Sequence, residues 1–117
     1  MNLKKVSPTA LALYIVGLTL PAYADKTYTP AQLRDMVQSG NYPKQGAAST
    51  QTKSADYASC IAQIEAIVSS VRPNYPTQTI VSTNLMRTEK VWTNDAAMTL
   101  TCSAPEKKLI ITMAPYL

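Results

Sequence analysis

Cys60 and Cys102 are the only cysteines in this chain, and it contains no histidine. These two facts remove most site chemistry at once. A nucleophilic Ser, Thr or Cys ordinarily works beside an imidazole base, and two thiols without His do not complete a zinc site. A Ser-Lys pair would need a lysine desolvated by burial, yet no lysine outside the first residues sits in an apolar run. Paired carboxylates suit glycoside hydrolysis. Here Asp25, Asp35, Asp56, Glu65, Glu89, Asp95 and Glu106 each read as a helix-end charge, a solvated face or a turn residue. No cofactor loop or metal-ligand cluster is legible, so the expectation is a protein that is not an enzyme, with a small carboxylate-dependent hydrolase as the enzymatic alternative.

The cysteines read as a structural pair. Their spacing is far from the Cys-X-X-Cys of redox sites, and closing a loop of about 43 residues would restrict the unfolded chain by about 4 kcal/mol in the chain-entropy treatment. Such a bond needs an oxidising compartment, and the start of the chain supplies the address. Lys4 and Lys5 precede an apolar stretch from Ala10 to Leu20, followed by Pro21-Ala22-Tyr23-Ala24. That is the order of a secretory signal cleaved after Ala24. The apolar stretch is too short for the roughly 20 residues of a membrane span, and Asp25 stands where a lipoprotein would carry Cys. The expected product is Asp25 to Leu117, periplasmic or secreted, with no stable membrane insertion after signal removal.

Binding is what remains. Trp92, the only Trp, follows Met86, Thr88 and Lys90 on one side of an alternating run and is flanked by Arg87 and Lys90. Exposed, Trp92, Arg87 and Lys90 would make a protein-recognition anchor, because Trp and Arg are enriched at interface hot spots. The competing reading puts Trp92 in the core beneath a helix. Of eleven Lys and Arg against seven Asp and Glu, two cations fall in the signal, and the rest are scattered without the dense basic stripe that tracks nucleic acid. The expected partner is another periplasmic or secreted protein, for an inhibitor, toxin-immunity factor or accessory subunit. The alternative is a small ligand or cell-wall glycan on the wet face of a sheet, with Trp92 as stacking platform.

The elements that must position these residues follow from caps and periods. Thr29-Pro30-Ala31-Gln32 reads as a capping box with Pro in the first turn, and Leu33, Met36 and Val37 then share a face before Gly40, predicting a helix over about 30–39. Asn41 to Lys53 has no apolar periodicity and reads as a mobile loop. A longer helix is expected to start at Ser54, with Asp56 near its positive end. Tyr57, Cys60, Ile61, Ile64, Ile67, Val68 and Val71 form one apolar face, and Pro73 and Pro76 close the helix off.

From Gln78 the period changes to two. Strands are predicted at about 78–83, 86–93, 97–103 and 108–114, with turns at Asn94-Asp95 and Ala104-Pro105-Glu106-Lys107. Met98, Leu100 and Cys102 share one side, Thr99, Thr101 and Ser103 the other, so one sheet face should be wet. Cys102 on the apolar sheet side and Cys60 on the apolar helix face are placed to bond across the core. The fold class is therefore α+β: one small domain with two N-terminal helices, then an antiparallel meander of three to four strands, the long helix packed on one sheet face.

Overall fold

The computed structural model describes residues 25–117, and the expected signal, Met1 to Ala24, lies outside the described residues. Helix α1 (Pro30–Ser39) starts on its capping box. The Gln32 backbone N–H donates to the Thr29 hydroxyl at 3.1 Å, and the Thr29 N–H donates to Gln32 Oε1 at 2.9 Å. Gly40 stops the helix at φ 76°, a left-handed conformation that only glycine adopts freely.

The expected mobile loop from Asn41 to Lys53 needs correction. Its last part forms β1 (Ser49–Ser54), an edge strand antiparallel to β5 (Lys108–Pro115), running from Ser49 opposite Met113 to Ser54 opposite Lys108. Ser54 thus ends a strand and does not open the long helix. Every β1 side chain is exposed or half-buried, so no apolar side marks the strand in its sequence. Backbone pairing with β5 holds it in place.

Helix α2 (Tyr57–Val71) is capped at Asp56, whose backbone is extended and whose side chain makes no cap bond. Cys60, Ile64, Val68 and Val71 are buried at spacings of three and four, the stripe that turns one helix face to a core. The chain then forms β2 (Thr77–Ser82), β3 (Met86–Trp92), β4 (Ala96–Ser103) and β5 as a meander. With β1 returning beside β5, the sheet order is β1-β5-β4-β3-β2, all antiparallel. The sheet has five strands, more than the expected three or four, and one of them lies between the two helices in chain order.

Helix α2 crosses one face of this sheet. Its buried stripe meets Val91 of β3, Met98, Leu100 and Cys102 of β4, and Leu109, Ile111 and Met113 of β5. The Cys60–Cys102 disulfide joins helix to sheet inside this core, with Cα atoms 5.8 Å apart and both residues fully buried. At the start of α2, the Tyr57 hydroxyl donates to the Thr83 carbonyl at 2.8 Å and ties the helix to the β2–β3 turn. Thr83 also closes that turn, its hydroxyl accepting from the Leu85 and Met86 N–H groups.

The opposite sheet face holds a second, smaller core at one end. Leu33 of α1 packs with Trp92, Ala97 and Tyr116, and Tyr28 and Val37 lie against them. Tyr116 donates to the carbonyls of Thr93 and Ala96 at 2.7 and 3.0 Å, and Tyr28 meets its ring edge-on. Burial pushes the Tyr116 phenol well above the ordinary tyrosine range, helped by the nearby Asp95. Asp95 sits in the β3–β4 turn, and burial raises its carboxyl above the usual 3.8, against a lowering by its own backbone hydrogen bond.

Candidate binding surfaces

Arg87 organises the densest charged group among the described residues. It lies on the α2 side of β3, where its Nη2 meets Glu65 Oε2 of α2 at 2.7 Å and its Nε meets Glu89 Oε2 at 2.8 Å. Thr79 of β2 donates to the same Glu89 oxygen at 2.7 Å. Glu89 is 1% exposed, so the guanidinium and the hydroxyl are what compensate its burial. Its bonds to Glu89 and then Glu65 hold Arg87 protonated above the ordinary arginine range. The structure thus brings together two carboxylates whose pairing was not anticipated, and a bridging cation engages both. Alternation along β3 does put Arg87 and Glu89 on one side. The approach of Glu65 depends on where α2 crosses, which no local pattern reports.

Trp92, the expected anchor, is 2% exposed and belongs to the core beneath α1. Of the three residues considered for recognition, Trp92 and Lys90 stay together, whereas Arg87 turns to the other sheet face. Lys90 Nζ stands 5.4 Å from the centre of the Trp92 ring, in cation–π range. The aromatic ring that reaches solvent here is Tyr42. It is 48% exposed and lies parallel to Trp92, with centroids 5.5 Å apart and planes 11° apart. Tyr42 follows the α1 stop by two residues, and its partnership with Trp92 spans fifty residues that no spacing rule connects.

Beyond that corner the face is open and rich in hydroxyls. Pairing register aligns Thr50, Thr112, Thr99 and Lys90 across β1, β5, β4 and β3, and Thr52, Ile110, Thr101 and Thr88 in the next row. The Thr50 and Thr112 hydroxyls are 3.2 Å apart, as are those of Thr88 and Thr101. The expected wet side of β4 is therefore present, modified at two places. Ala97 is covered by α1, and Ser103 is buried where its hydroxyl accepts from the Glu106 N–H.

The outer edge of β2 is a third kind of surface. β2 pairs only with β3, and Thr77–Ser82 contains neither charge nor proline. A register shift between Thr79 and Val81 sets Ile80 outward, 52% exposed. Leu85 and Met86, at 59% and 40%, are also exposed, at the β2–β3 turn and the start of β3. The other edge, β1, carries Lys53, whose ammonium reaches Gln63 of α2 at 3.2 Å.

No helix among the described residues is long and apolar enough to cross a membrane. No family model matches the chain, and neither the curated proteins nor the solved structures contain a match to it.

Proposed function

We propose that the chain is an exported, non-enzymatic protein that binds another protein in the periplasm or outside the cell, through the edge of β2. The single observation that carries this reading is the exposure of Ile80, Leu85 and Met86 together with an unpaired strand edge whose residues carry no charge. Sheet edges present a row of free backbone donors and acceptors, and proteins usually blunt them with charges, proline or a covering element. Here the strand itself offers a bulge at Ile80, and the Arg72 guanidinium reaches its first residue, Thr77, at 3.5 Å. An extended segment of a partner can add to such an edge through main-chain bonds, with neighbouring apolar side chains giving selectivity.

Export is supported by the signal-like order of Met1 to Ala24 and by the buried disulfide, which is compatible with an oxidising compartment. Recognition through Trp92 loses ground, because a ring 2% exposed offers a partner almost no surface.

The test is a capture experiment from periplasmic extract with the mature chain and with an Ile80→Lys/Leu85→Lys variant. Both positions are exposed, so the variant should keep its melting temperature while losing a stoichiometric partner. Retention of that partner by the variant, or its absence from the wild-type capture, would rule the reading out.

A further inference from the structure

We infer that the open face of the sheet, opposite α2, binds an acidic polysaccharide, a ligand and a surface separate from those proposed above. The inference starts from charge. Glu89 is the only carboxylate on any of the five strands, and it is buried on the α2 side with Arg87. The open side carries two strand cations, Lys90 and Lys108, and neither makes a salt bridge. A surface with cations and no strand carboxylate complements an anionic ligand.

The remaining groups narrow the kind of anion. Thr50, Thr52, Thr88, Thr99, Thr101 and Thr112 stand in two cross-strand rows, with neighbouring strands about 4.8 Å apart. Each hydroxyl offers one donor and two acceptor positions, and a Thr-Thr contact uses only part of that capacity. Such an array suits a ligand that is itself rich in hydroxyls. Lysines this sparse do not neutralise successive phosphates of a nucleic acid, whose binding is dominated by those contacts. Two residues along β3 from Lys90, at Trp92, the exposed Tyr42 ring is held in place by stacking on the Trp92 ring that Lys90 Nζ also approaches. A fixed aromatic plane accepts the apolar face of a sugar ring at little entropic cost, because its rotamer is already chosen.

The arrangement therefore assigns three roles. Lys90 and Lys108 take the carboxylates, the threonine rows hydrogen-bond the hydroxyls, and Tyr42 stacks on one ring.

The experiment titrates the oxidised mature chain with oligogalacturonate by calorimetry, using neutral oligogalactan and oligo-dT as comparison probes. Binding of oligogalacturonate, with neither comparison probe matching it, is the expected result. Lys90→Gln with Lys108→Gln should weaken it by roughly tenfold or more, since bonds to charged groups are the strong ones. Tyr42→Ala and, separately, Thr50→Val with Thr99→Val should each weaken it several-fold. The threonine variant changes only surface groups, so it remains informative if Tyr42→Ala unfolds the chain. No binding, equal affinity for either comparison probe, or a response to the lysines alone would overturn the assignment.

Discussion

Arg87 and Glu89, two residues apart on β3, bond side by side at 2.8 Å on the face that α2 covers, and this contact gives a carboxylate that is 1% exposed its cationic partner. Period-two alternation brings them together, and Glu65 and Thr79 complete the group from α2 and β2. Arg87→Ala should cost about 3 kcal/mol, because it leaves a buried charge unpaired. Adding Glu89→Gln should recover part of the loss, since the amide needs no counterion. Urea unfolding of the two variants checks this, and equal stability would show that Glu89 is compensated by something else.

The Cys60–Cys102 bond spans a sequence separation of 42 residues and ties α2 to β4. Replacing both cysteines with Ala is expected to lower the unfolding free energy by about 2–4 kcal/mol, mainly by freeing the unfolded chain. Denaturant titration gives the size directly. Reduction of the wild-type chain should reproduce a loss in the same range.

Trp92→Ala should cost about 3–5 kcal/mol, the range for removing a large buried ring. It should also release Tyr42, which stacks on that ring. Thermal unfolding measures the first effect, and increased Tyr42 side-chain mobility by NMR reads the second.

Asp95 gives the domain a pH dependence of defined sign. Burial raises its folded carboxyl above the usual 3.8, so the fold holds the proton more tightly than the unfolded chain does. Its contribution to stability is fully present below the usual value and is lost as pH rises through the raised one. Asp95→Asn removes the ionisation. The variant should melt at a higher temperature than the parent at neutral pH, and the difference should shrink as the pH falls below the usual carboxylate value. A constant difference across that range would contradict the account.

Much of the architecture was legible because each signal was local. The capping box at Thr29, the three-and-four spacing of Cys60, Ile64, Val68 and Val71, and the alternation of Met98, Leu100 and Cys102 each act within one element. The meander strands lie within a residue of the predicted bounds for the same reason. β1 was missed because Ser-Thr-Gln-Thr-Lys-Ser has no apolar side to reveal it. It is a strand because β5 offers it an edge.

The candidate surfaces divide in the same way. Paired threonines two apart, Thr50 and Thr52, Thr99 and Thr101, are visible in the chain, but their alignment into rows depends on the register of β1, β5 and β4. What the sequence by itself determined is the α+β class, the elements of the meander and the pairing of its only two cysteines, since caps, periods and oxidative chemistry act on neighbours or on a single choice. Only the tertiary structure decided that Trp92 is covered, that Tyr42 is the ring left in solvent, that Arg87 faces α2 and that β2 is an uncharged edge. Those outcomes depend on which face each helix covers and which strand lies outermost, and both are set by contacts between segments far apart in the chain.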